Sequence, residues 1–414
     1  MRIDRAHALL ACLLLAAACA PAGVVIQHVN VVDVANARIV PDQTVVVKGG
    51  GRRRVDGRGL YVMPGLWDMH AHLWEHERTP ALFLANGVTG IRDMGSDLAA
   101  TVALRNAISK GAKPGPRIVT AGPVLDGPRK ESAQFRVTVA TPADAARAVS
   151  DAESGGADFI KVYHFLSREA YLAIAREAKQ RGLAFAGHVP PSITAEDAVR
   201  AGQASIEHLY TTRERLMKDA NDPTLAATCA LFAKSMTWQT PTLTIYRSVA
   251  FRDTPNDPFV PDVYERYLTP EMRAQWEADM PRRNLTPDQA AKLAASYANL
   301  QAGVRAMHAA GVPLLAGSDN GIKFVYAGFG LHDELEALVA AGLTPAEALR
   351  AATVNAWEYL GKTLPRGAAD DVVLLRANPL DDIRNARQID GVIANGRYYD
   401  RATLDALLAR AAVR

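Results

Sequence analysis

The sequence predicts an α/β fold: a TIM (β/α)8 barrel with a small β-sandwich domain built from both chain ends. Three observations carry that expectation. Eight short apolar runs alternate with helix-patterned segments through the middle of the chain, both ends are rich in β-branched runs, and 414 residues suffice for one large domain and a small one. Apolar residues make up 49% of the chain and charged residues 22%, which excludes intrinsic disorder. The formal net charge is only +3 and the charges are scattered, so no footprint for nucleic acid is present.

Taken in order, residues 1–19 read as an export leader: Arg2 and Arg5 precede an apolar run, 8–18, that is too short to span a bilayer. The small residues before Cys19 resemble a bacterial lipoprotein cleavage box, with Ala16 where Leu is usual. Cys19 would then become a lipid-modified, membrane-anchoring first residue or leave with the leader. The expected location is the periplasm or the outer membrane of a bacterium. Cys229 would be the one ordinary thiol of the mature chain, which must be stable without an internal disulfide. Residues 24–62 and 364–400 carry β-branched runs, with Asn395-Gly396 as a hairpin turn, and pair into the β-sandwich. Between them, 63–363 forms the barrel, with strands expected at 66–70, 89–94, 117–121, 158–163, 184–189, 205–209, 237–243 and 313–318. Helical spacing at 167–181 and 195–201 ends at Gly182 and Gly202. A doubly wound sheet fits less well, because no Gly-rich phosphate loop follows the first strand. The stretch 244–312 exceeds an ordinary crossover and holds Tyr246, Phe251, Phe259, Tyr264, Tyr267 and Trp276. It is either a lid over the mouth or an outer helical hairpin packed on the barrel.

The residues that carry chemistry close the strands. His70 and His72 lie two apart on an extended segment and share a face, so both imidazoles can reach one cation. Lys161 sits inside an apolar run, where an unpaired ammonium is costly and shifts toward the neutral amine. Such an amine can take up carbon dioxide to give an anionic carbamate able to bridge two metal ions. His188, His208 and Asp319 end the fifth, sixth and eighth strands. In a barrel all these ends converge on one mouth.

These residues, with the run Met63-Pro64-Gly65-Leu66-Trp67-Asp68-Met69-His70-Ala71-His72 and Gly317-Ser318-Asp319, make the chain similar to the amidohydrolase superfamily, in its binuclear-metal, carboxylated-lysine branch. It most resembles imidazolonepropionase-like amidohydrolases and metal-dependent prolidases and carboxypeptidases. The segments 342–349 and 378–383 also resemble that family. The resemblance implies two divalent metal ions, with zinc fitting the donor set. His70, His72 and Asp319 would hold one ion, His188 and His208 the other, and carboxylated Lys161 would bridge them. It implies hydrolysis of an amide, peptide or cyclic amide bond by a metal-bridging hydroxide, with Asp319 as general base and then acid. The substrate would be a small molecule or peptide-like compound, placing the chain near dipeptidases, prolidases or N-acyl amino acid hydrolases.

Tyr163, His164, Tyr210 and His332 are candidates for binding substrate from the rim, and Arg92 or Arg136 could supply a cation there. Arg92-Asp93 is equally a structural ion pair, Glu75 and His76 suit a solvated mouth, and His28 and His308 fall outside it. A lactone or ester hydrolase on the same metals is the enzymatic alternative. A non-catalytic binding protein of the same fold would need a broken ligand set, and none of the six positions is missing.

Overall fold

The computed structural model describes residues 23–49, 52–129, 135–252, 264–279, 281, 283–321, 324–361, 367 and 370–413. The leader 1–19 with Cys19, and Phe259, lie outside the described residues.

The chain is a mixed α/β protein. It begins with strands β1 (Gly23–Asp33), β2 (Arg38–Lys48), β3 (Arg52–Asp56) and β4 (Tyr61–Pro64). Next come β5 (Leu66–Ala71), β6 (Val88–Asp93), β7 (Arg117–Thr120), β8 (Val124–Asp126), β9 (Arg136–Thr138), β10 (Phe159–Val162), β11 (Ala184–Gly187), β12 (Ser205–Glu207) and β13 (Trp238–Thr240). The last three are β14 (Val372–Leu375), β15 (Ile389–Ala394) and β16 (Arg397–Asp400).

Two parallel sheets occupy the middle of the chain, β5-β6-β7 and β13-β12-β11-β10-β8-β9. β5, β6 and β10 are buried along their whole length, as apolar strands covered on both faces should be. The two sheets touch at both sides. On one side β7 and β8 are two parts of one run, broken at Gly122 (φ +66°), and Asp158 N–H donates to Thr120 O at 2.8 Å. On the other, Gln239 bridges to Leu314, and Met69 N–H donates to Ala316 O at 2.9 Å. The strand positions expected from the sequence are therefore occupied, the eighth only by a short bridge, and β8 and β9 are additional to them.

The helices between strands begin where their caps dictate. Thr141, Thr194, Thr286 and Thr344 each form a reciprocal capping box, which satisfies N–H groups that a helix start leaves free. Gly202, at φ +82°, stops the helix Ala195–Ala201 in the left-handed conformation that glycine takes without steric cost. Among the described residues no helix is long and apolar enough to cross a membrane.

Strands from both chain ends join in one seven-stranded sheet, ordered β16-β15-β14-β4-β1-β2 with β3 beside β1. β4 runs antiparallel to β14, from Tyr61 opposite Leu375 to Pro64 opposite Val372. Its apolar face gathers Ile26, Val29, Val62, Leu374 and Ile393. The buried carboxylate of Asp371 fastens this sheet to β7 through the guanidinium of Arg117, Nε to Oδ2 at 2.6 Å.

The long excursion divides in two. The helix Pro287–Ala309 packs beside the helix Leu243–Phe251 in the helical layer. The segment 264–279 turns inward instead: Trp276, buried, packs edge-on against Phe324 and Tyr326, and its indole N–H donates to Gly321 O. The described part of 264–279 thus packs on Phe324 and Tyr326, which follow Asp319 in the chain, while Pro287–Ala309 lies among the helices.

Candidate metal centre

Asp319 is the point on which the imidazoles converge. Its carboxylate lies 3.0 Å from His72 Nε2, 3.5 Å from His70 Nε2 and 3.7 Å from His208 Nδ1. His70, His208 and Asp319 each offer a ligand atom within 4.8 Å of the others. The His188 ring sits 4.9 Å from that of His208, between Tyr163 at 3.9 Å and Tyr210 at 4.2 Å. Lys161 is buried on β10, opposite Ala186 of β11, the strand that leads into His188. The backbone bends sharply to present these groups. His208, Thr242 and Asp319 all have φ between +49° and +56°, a conformation that non-glycine residues adopt at a cost and that clusters at functional sites.

Neighbours fix most of the rings. His70 Nδ1 contacts Glu207 Oε2 at 2.7 Å, His72 Nδ1 contacts Gly95 O at 3.0 Å, and His208 Nδ1 contacts Thr242 Oγ1 at 2.6 Å. Asn320 clamps the His72 backbone, accepting its N–H and donating to its carbonyl. Asp68 receives Ser318 N–H and His70 N–H, and burial raises its carboxyl to about 7.

The electrostatics show what the arrangement lacks. Burial, reinforced by the charge of Lys161, lowers His70 to about 4, so its imidazole is neutral. A neutral ring has one N–H, yet both nitrogens of His70 face carboxylates. One contact therefore sets a lone pair against an oxygen. Burial likewise drives His188 and His208 well below the usual imidazole range. Lys161 falls to about 8, burial outweighing the attraction of Glu207 and Asp319. Asp319 stays far below the ordinary carboxyl range: burial opposes ionisation, and His70 and His208 outweigh it. Among the described residues, Lys161 Nζ and both ring nitrogens of His188 are buried without a hydrogen-bond partner. Unsatisfied donors and acceptors at this depth are costly. Bare imidazole nitrogens, an orphaned amine and an ionised carboxylate are a donor set that divalent cations satisfy.

Of the rim candidates, Tyr163 and Tyr210 stand against His188, and His164 lies 5.7 Å from the ring of Tyr210. His332 does not join them. It is buried with Nε2 on Asn86 O at 2.9 Å, so its position soon after Asp319 in sequence does not bring it to the cluster. Arg136 is paired with Asp126 at 2.7 Å and lies over Tyr163. Arg92 is not a rim cation, and its carboxylate partner is Glu207 at 2.9 Å rather than Asp93. Glu75 caps the helix Thr79–Ala85 by accepting Arg78 and Thr79 N–H, while His28 and His308 pair with Asp42 and Glu347 away from the cluster. Sequence patterns did not single out Glu207, Thr242 or Arg213. The one available signal was a charged residue inside the buried run Ser205-Ile206-Glu207. Arg213 lies 4.2 Å over the ring of Tyr210, whose neighbour Tyr246 donates its hydroxyl to His208 O; its carboxylate contact is the exposed Glu214 at 3.9 Å.

Known proteins agree with this architecture. Bottromycin amidohydrolase superposes with a TM-score of 0.78 at 28% identity, covering 94% of this chain and 89% of its own. A candidate prolidase from Bifidobacterium longum gives 0.71 at 27% identity, covering 94% and 99%. A prolidase complexed with N-methylphosphonate-L-proline gives 0.67 at 22% identity, covering 91% and 99%, and speaks for the fold. No curated protein matches the sequence. The model of the amidohydrolase family matches residues 61–398, most of the chain and every residue of the cluster, and the chain is therefore an enzyme of the amidohydrolase family.

Proposed function

We propose that this enzyme is a metal-dependent hydrolase of carbon–nitrogen bonds in amides, peptides or cyclic amides, acting at the mouth of a (β/α)8 barrel. The barrel would span 63–363 and the β-sandwich domain 24–62 with 364–400. The observation that carries the reading is the convergence of three imidazoles on Asp319 beside an unsatisfied His188 and Lys161. In this reading His70, His72 and Asp319 would hold one divalent ion and His188 and His208 a second, with carboxylated Lys161 as a ligand to both; zinc would suit the donors. Such ions supply an acidified water and a polarised carbonyl.

The protein's own groups do the rest. Asp319, in contact with three imidazoles, would take a proton from the attacking water and return it to the departing amine. Tyr163 and Tyr210 orient the substrate against His188. Arg213 presents a guanidinium that suits a carboxylate, which favours dipeptides and N-acyl amino acids. The prolidase and amidohydrolase neighbours support this substrate class.

The test is elemental analysis of zinc-reconstituted protein together with a turnover screen on dipeptides, N-acyl amino acids, cyclic imides and lactones. Two ions per chain and cleavage of a carboxylate-bearing amide are expected. Fewer than one ion, or turnover of lactones alone, refutes the reading. Export through residues 1–19 is part of the proposal, and mass analysis of the mature N-terminus, including acylation of Cys19, decides it.

A further inference from the structure

Beneath the cluster lies an ion pair that the hydrolytic scheme does not use. Arg92 and Glu207 are both fully buried. The guanidinium is spread across several strands: Nε donates to Met69 O at 2.6 Å, one terminal nitrogen to Ser205 Oγ at 2.8 Å, and the other to Glu207 Oε1 at 2.9 Å and Thr240 Oγ1 at 3.3 Å. Glu207 Oε1 also accepts the Ser205 hydroxyl, while Oε2 is turned to His70 Nδ1 at 2.7 Å. An ionised carboxylate only accepts, so the nitrogen facing it carries the proton. Of the two carboxylates that face this ring, Glu207 is at hydrogen-bond distance and Asp319, at 3.5 Å from Nε2, is not hydrogen-bonded, so the proton belongs on Nδ1 and Nε2 is the nitrogen whose lone pair is left for a cation.

The four imidazoles thus differ in support. His70 leans on a charged oxygen, His72 on a carbonyl and His208 on a hydroxyl, whereas among the described residues His188 has no hydrogen-bond partner and is held by two stacked tyrosines. A carboxylate behind an imidazole fixes its tautomer and raises its strength as a donor.

We propose that Glu207, neutralised by Arg92, is a positioning residue that locks His70 in the Nδ1–H tautomer and thereby makes the His70, His72 and Asp319 half of the centre hold its cation more tightly than the His188 half. The proposal rests on the metal-centre reading above.

The experiment uses the full chain, stripped and titrated with zinc against a chelator, with melting followed in the metal-free state. Two variants are compared with wild type, Glu207→Gln and the double Glu207→Gln/Arg92→Gln. The single substitution leaves the guanidinium uncompensated and should lower both melting temperature and zinc affinity. The double removes both charges, which a fold often tolerates. It should regain most of the melting temperature while its tighter zinc site remains 10- to 100-fold weaker than wild type, about the loss expected when such a partner is removed. If the pair is merely structural, the double regains affinity along with stability, and the proposal falls. Zinc binding by Glu207→Gln at wild-type affinity also overturns it. If wild type itself binds no zinc, the metal-centre reading fails instead. Should the double not fold, ring-nitrogen NMR of metal-free wild type, assigned against His70→Gln, decides: a proton on Nδ1 supports the proposal and a proton on Nε2 overturns it.

Discussion

Asp319 places two oxygens among three imidazoles, so an amide there would keep the shape and lose the proton acceptor. Asp319→Asn is expected to fold normally by circular dichroism and to lower kcat ~10²–10⁴-fold, the usual worth of a positioned acid/base. Lys161→Ala removes the orphaned amine, and elemental analysis should show loss of most bound metal together with activity. A variant that kept two ions and full turnover would take Lys161 out of the centre. His332 should behave differently, being committed to Asn86. Burial lowers it to about 3, so below pH 6.5 the unfolded chain takes up a proton that the folded chain refuses. The stability it contributes at neutral pH is therefore lost as pH falls from 6.5 toward 3, at up to ~1.4 kcal/mol per pH unit. In urea titrations His332→Gln should flatten that slope while leaving kcat/KM within about twofold, as a change remote from the reacting groups should. The candidate groups were legible because His70, His72, His188, His208 and Asp319 close short apolar runs and Lys161 interrupts one. Glu207 and Arg92 were not: they are separated by 115 residues and acquire a role only once their strands are neighbours.

Among elements, the segment 264–279 shows how far composition can reach. Its aromatic content marked it as unusual, but which surface it covers depends on Trp276 meeting Phe324 and Tyr326 across the molecule. Trp276→Ala should cost ~3–5 kcal/mol, as for a buried aromatic truncated to alanine. Limited proteolysis should then cut this segment sooner, and KM should rise more than kcat falls if it shapes the mouth. Helix starts were easier to read, because caps such as Ser167 and Thr194 are local. The three-residue strands β8 and β9 were not, since so short a stretch carries too little β pattern to stand out and they show only in pairing, β8 to β10 and β9 to β8.

At the scale of the molecule, the sheet from both chain ends was legible in outline, because β-branched runs frame the alternating middle. Its strand order was not, as β3 and β4 both lie beside β1 at different heights. The Arg117–Asp371 pair ties that sheet to the parallel strands. Removing one partner of a buried pair strands the other. Arg117→Met should therefore destabilise the protein by about 3 kcal/mol in urea titration, near the lower end for such changes because Arg117 retains some exposure.

The antiparallel match of β4 with β14 has a consequence for biosynthesis. A nascent polypeptide that has emerged as far as residue 360 already contains every candidate ligand up to Asp319, yet the place beside β4 stays open until Val372–Leu375 has left the ribosome. A premature stop codon just before Val372 would thus yield a product with every chemical group present and a raw strand margin exposed, a template for aggregation rather than a smaller working enzyme.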